Sequence, residues 1–136
     1  AEKSANVAIH QDFRTVFNAL VMCIFANIPP QTMVDLVNAA NGFNWTIADM
    51  MKNGERGWTI KRAINNRLGL TRANDKLPKG LLEPYPNGGS AGYVPPFAEM
   101  LEAYYEARKW DKVTGKPSKE KMLELGMDEI AKDLWG

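Results

Sequence analysis

The stretch "FRTVFNALVMCIFANIPP", residues 13–30, decides how the chain is read. Phe13, Val16, Phe17, Leu20, Ile24 and Ile28 recur at spacings of three and four, the apolar stripe of an amphipathic helix. The spacing predicts a helix from about residue 10 to 28. Pro29 and Pro30 end it and suit the first turn of the next helix, where a missing N–H costs little. The same stretch holds Cys23, the only cysteine. At about 100° per residue, Cys23 falls at the edge of the stripe beside Ala19 and Ala26. A free cysteine among apolar neighbours is most often a small buried hydrophobe. The small residues around this one also leave room for a bulky group or a neighbouring helix.

Outward from there the periodicity stays helical. A second helix carries Met33, Leu36 and Val37 and stops near Gly42. Thr46 opens a third, with Asp49 as its capping-box partner. Ile47, Met50, Met51, Trp58 and Ile64 form its apolar face. Gly54 and Gly57 weaken that helix by up to about 1 kcal/mol each relative to alanine, and they admit a close backbone. From Leu68 to about Pro95 the pattern dissolves into "LPKGLLEPYPNGGSAGYVPP" and its flanks, too rich in Pro and Gly for a helix. Helical spacing returns at Phe97, Met100, Leu101 and Tyr104. Ser118 caps a short helix ended by Gly126, and Asp128 caps a last one through Ile130 and Leu134. No hairpin signal stands out. The reading is one all-α domain over residues 1–136, with a long irregular loop at about 68–95.

Composition narrows the function classes. Seventeen basic and 16 acidic residues leave a net charge of +1, and the basic residues are interspersed with acidic ones. That argues against nucleic acid and against an anionic membrane surface as partners. No apolar run approaches the roughly 20 residues of a membrane span. One cysteine makes no internal disulfide, so the fold does not require an oxidising compartment. The N-terminus lacks both a signal pattern and an initiating methionine, and is read as a cut end. The expected location is cytoplasmic.

Chemistry-bearing residues are sparse. A closed zinc site wants four ligands, and Cys23 with His10 does not reach that count. On one helix the two lie 13 positions apart, about 20 Å, too far to act together. The carboxylates sit where caps and solvated faces put them, and Glu99, Glu102 and Glu106 share one face. "NGGSAG", residues 87–92, follows no strand and opens no helix, so it is not a phosphate loop. "NNRLGLTRANDKLP", residues 65–78, is a dense polar turn with Gly69 as a left-handed helix cap. It reads either as a surface ion pair or as a lock fixing the long loop to the helical core. No catalytic residue is assigned.

Three collinear phrases carry a resemblance: "VFNALVMCIF" (16–25), "GERGWTIKRAINNRLGLTRANDKLP" (54–78) and "SAGYVPPFAEMLEAYYEARKWDKVTGKPSKEKMLELGM" (90–127). Over nearly the whole chain the sequence resembles the C-terminal region of the tungsten-dependent aldehyde:ferredoxin oxidoreductase family. The resemblance implies a fragment of a much longer oxidoreductase that oxidises aldehydes to carboxylic acids and passes electrons to ferredoxin. Its cofactors would be a tungsten bis-pterin and a [4Fe-4S] cluster. "NALVMC", residues 18–23, falls on the family's D-x-x-G-L-C motif, so Cys23 is implied as the fourth cluster ligand. Asn18 and Met22 are implied at the pterin. The partners implied are the N-terminal and middle domains of the same protein. The isolated chain is expected to be inactive and to bind no cofactor. An aromatic acyl-CoA reductase-like member of the family, or a non-catalytic helical interaction domain, are the alternatives.

Four positions depart from the family pattern. Asn18 is neutral where an aspartate is usual, and Val21 stands where glycine is usual. Gly80 stands at a frequent arginine, and Lys109 at the glycine of "RGWD". On a regular helix Asn18 and Cys23 would point about 140° apart. Serving one cofactor assembly therefore requires the segment to leave helical geometry, whereas an isolated domain is expected to relax to a plain helix. The long loop is a candidate cover for the cofactor.

Overall fold

A computed structural model describes residues 2–136. It is all-α, as the periodicity predicts. The helices are α1 (Glu2–Ala19), α2 (Pro30–Asn41), α3 (Ile47–Arg67), α4 (Phe97–Arg108), α5 (Lys119–Glu124) and α6 (Asp128–Trp135). The long loop holds two 3₁₀ turns, Arg72–Asn74 and Lys79–Leu81. Among the described residues β-pairing is limited to two isolated bridges, Tyr85 with Ala91 and Trp110 with Pro117.

The third helix is the organising element, packing against α1, α2 and α6, while α4 lies on α1. Its start is the predicted capping box. Thr46 Oγ1 accepts from the Asp49 N–H at 3.2 Å, and Asp49 Oδ2 accepts from the Thr46 N–H at 2.8 Å. The two glycines explain how close α1 comes. A methyl on Gly54 would run into the Asp12 carbonyl, and one on Gly57 would meet Thr15 Cγ2 at 2.7 Å. Alanine at either place would push the helices apart.

Two apolar clusters fill the interior. Val16, Phe17, Met33, Val34 and Met50 join α1, α2 and α3. Met122, Leu125, Met127 and Ala131 join α5 and α6 against Ile60 of α3. Each fully buried side chain of this size contributes about 1.5–3 kcal/mol relative to exposure.

Three expectations need correction. The first helix stops at Ala19, so Leu20, Ile24 and Ile28 do not continue its stripe, although Ile28 still packs against the first cluster. Asp128 does not cap α6; the cap position is Met127, without a side-chain bond. Leu36, Ile47 and Ile64 are exposed rather than core.

Candidate functional site

The end of α1 builds the site. The Met22 N–H returns to the Phe17 carbonyl at 3.0 Å, and the Val21 N–H to the Asn18 carbonyl at 3.2 Å. This is a Schellman closure, which places the residue after the cap in the left-handed region. That residue is Val21, at φ +55°. A β-branched side chain there is strained by roughly 1–2 kcal/mol, and glycine is the usual occupant. The chain therefore turns sharply out of the helix between Asn18 and Cys23. A plain helix through this segment is not what the chain adopts.

Past the turn, the Ala26 N–H donates to the Cys23 carbonyl at 2.9 Å. The Arg14 guanidinium reaches forward to the Ile24 carbonyl at 3.4 Å and lies 5.1 Å from the Phe17 ring centre. Sequence reasoning passed over Arg14; its i, i+3 spacing to Phe17 was the only local signal. Cys23 is free and exposed, not a buried hydrophobe. Its neighbours Val21, Ile24 and Phe25 are 91%, 61% and 89% exposed.

The three residues implied at cofactors separate by environment. Cys23 lies on the exposed turn. Asn18 is exposed at the last turn of α1 and lines a cleft of about 250 Å³ with His10 and Arg14. Met22 packs inward against the first apolar cluster. No group of three or more metal-ligating side chains occurs among the described residues. Cys23 can thus be one arm of a coordination shell and no more.

A second polar assembly ties the long loop down. Arg62 of α3 holds Asp75 through two parallel bonds of 2.8 Å, donates Nε to the Gly115 carbonyl at 2.7 Å, and donates to the Tyr105 hydroxyl at 2.9 Å. Tyr105, fully buried, donates its own hydroxyl proton to Asp75. Burial, and then the bond to Asp75, push the Tyr105 hydroxyl well above the usual phenol range. Nearby, Arg72 pairs with Glu102 of α4. The lock reading of residues 65–78 is the one the structure supports, and its anchor, Arg62, lies three residues before that stretch. Arg67 pairs with Asp133 on the surface. Asp12 makes a separate buried pair with Arg108 at 2.6 Å; burial pushes its carboxyl up against the pull of that guanidinium.

Comparison with known proteins adds an independent finding. Residues 1–127 match the family model described as aldehyde ferredoxin oxidoreductase, domains 2 and 3. The chain is 38% identical over 133 residues to a tungsten-containing aldehyde ferredoxin oxidoreductase of Pyrococcus horikoshii, and 37% identical to those of Pyrococcus abyssi and Pyrococcus furiosus. Each match covers 95% of this chain and 22% of the relative, so the chain spans about a fifth of the length of these proteins.

Proposed function

This chain belongs to the aldehyde ferredoxin oxidoreductase family, and from that premise we propose that it is the C-terminal helical part of a longer oxidoreductase converting aldehydes to carboxylic acids. Aldehyde and water yield acid, two protons and two electrons, the electrons leaving for ferredoxin. In that protein a bound tungsten pterin would supply the redox chemistry and a [4Fe-4S] cluster the one-electron relay. What this chain contributes is structural. Cys23 supplies one thiolate, a soft donor suited to iron–sulfur ligation. The Schellman turn carries that sulfur out of the helix. Arg14 fixes the following backbone through the Ile24 carbonyl. Asn18 offers an amide oxygen to a pterin N–H without charge assistance. Met22 keeps its side chain on the core and closes the turn through its N–H on the Phe17 carbonyl.

The observation that carries this reading is the exposure of the Cys23 thiol on an open turn among exposed apolar side chains. Replacing Cys23 with alanine or serine in the full-length protein should remove iron and the visible absorbance of the cluster, with the helical circular dichroism retained. Full iron content in both variants would remove Cys23 from the ligand set.

A further inference from the structure

Two cavities lie side by side on the face of the molecule formed by α1, α3 and α4. One, of about 430 Å³, has aromatic walls from Trp58, Phe97, Tyr104, Tyr105 and Trp110. The other, of about 730 Å³, is an apolar groove that includes Tyr93, Pro95, Pro96 and Met100. They share Gln11, Leu77, Phe97, Leu101 and Tyr104. Together they have the size and lining of a site for an elongated small molecule.

The polar groups of the aromatic cavity show what kind of molecule fits. Most are already committed to one another. The Trp58 indole N–H donates to the Tyr104 hydroxyl at 2.9 Å, and that hydroxyl donates to Gln11 Oε1 at 2.6 Å. Asp75, the one acid in the lining, has both oxygens engaged by Arg62 and Tyr105. The Trp110 indole N–H lies buried in the same wall with no partner among the described residues. Three exposed side chains also remain: Lys61, Asn65 and Lys76. Among the described residues neither lysine has a carboxylate within ion-pair distance; the Lys61 ammonium rests 5.6 Å from the Trp58 ring centre. The single charged residue of the apolar groove is Lys3, also without an acid partner. Apart from the Asn65 amide oxygen, the uncommitted groups are thus donors, and their charge is positive, beside a long apolar trough.

We propose that this paired cavity binds an amphiphilic carboxylate, its acid group held by Lys61 and Lys76 and its apolar body lying past Tyr104 in the Tyr93–Met100 groove. A cation or a neutral sugar would find no free acceptor array here, whereas a carboxylate meets two unpaired ammonium groups beside a low-dielectric wall. Such acids are the class the proposed aldehyde oxidation releases; the site is argued from its own walls and stands without that reading.

Lysine acetylation of the full-length protein, mapped by mass spectrometry with octanoate as the probe, tests it. Octanoate at about ten times its half-effect concentration should slow modification of Lys61 and Lys76 by about tenfold. Exposed Lys52 and Lys119 should be unaffected, and octanamide, which keeps the chain and loses the charge, should protect little. Equal protection by octanamide, protection confined to Lys3, a uniform effect on every lysine, or no protection would each overturn the assignment. So would Lys61 and Lys76 that are unreactive without ligand, since the mouth would then be closed by the rest of the protein. This test does not involve Cys23, so its failure and the failure of the cluster reading are distinguishable.

Discussion

The turn at residues 20–28 and the junction around Arg62 are built by opposite rules. At the junction, a guanidinium, a carboxylate and a phenol satisfy one another behind aromatic cover, and Tyr105 has no exposed surface. At the turn, a valine sits in the left-handed region and Phe25 is 89% exposed. The Arg62, Asp75 and Tyr105 groups find their partners within this chain. The turn exposes a thiol and large apolar groups that no described residue of this chain covers. A protein bears such exposed apolar surface where something docks. The difference separates what residues 2–136 do for their own stability from what they would offer the longer oxidoreductase proposed above.

The junction breaks most severely. Arg62→Met would leave Asp75, whose side chain is 27% exposed, without its counter-charge and with only the Tyr105 hydroxyl as donor, and would strand the Gly115 carbonyl. Removing one partner of a largely buried ion pair leaves an uncompensated charge, and the expected loss is about 2–4 kcal/mol. Urea unfolding measures the total. Amide exchange should quicken first at residues 70–82, because Asp75 is what Arg62 holds. A loss below about 0.5 kcal/mol would reduce the junction to an ordinary surface pair.

The turn should respond in the other direction. Val21→Gly removes left-handed strain and should stabilise the chain by about 1 kcal/mol, part of the gain being offset by the entropy glycine adds to the unfolded state. Lys109 closes α4 in the same way, at φ +52°, with the Trp110 N–H on the Tyr105 carbonyl at 2.9 Å. Lys109→Gly should gain somewhat less, because lysine is not β-branched. The converse change, Gly69→Val at φ +91°, should cost about 1–2 kcal/mol. Thermal melts of the three variants form one series. A neutral or negative result for Val21→Gly would mean that residue 21 is not held left-handed.

These helix ends also show what the sequence made legible. Gly42, Gly69 and Gly126 stop their helices at φ +68°, +91° and +66°, and a glycine after a helical run is a readable stop. Val21 and Lys109 do the same work without the signal. At Val21 the spacing of Leu20, Ile24 and Ile28 points to continuation, yet the helix ends nine residues earlier, at Ala19. The family resemblance implied glycine at both places, which is a stop signal that this sequence does not carry. The capping box at Thr46 and the close approach at Gly54 were legible because they depend on neighbours in sequence or on the absence of a side chain. The partner of Asp75 was not, because Arg62 and Tyr105 meet it only after α3 and α4 have each packed on α1. For the candidate site, Cys23 stood out as the sole cysteine, while its exposure followed from the turn and could not be read from its apolar neighbours.

The smallest effect lies at the rim of the junction and is read by acid. Asp111 accepts the Thr114 backbone N–H at 2.6 Å, the Thr114 hydroxyl at 2.7 Å and the Val113 N–H at 3.1 Å. Those bonds, the Thr114 side chain first, hold its carboxyl below the usual carboxylate range. The turn they shape presents the Gly115 carbonyl to Arg62. A carboxyl depressed by folding adds stability above its unfolded value of about 3.9 and loses it as pH falls through the folded value. Asp111→Asn keeps the acceptor and removes the charge. The variant should therefore melt slightly below the parent at pH 7, and the gap should close as pH drops under about 4. A gap that persisted unchanged at pH 3 would assign the effect to shape rather than charge. The junction's rim would then be fixed by the geometry of the turn, as the Cys23 turn is.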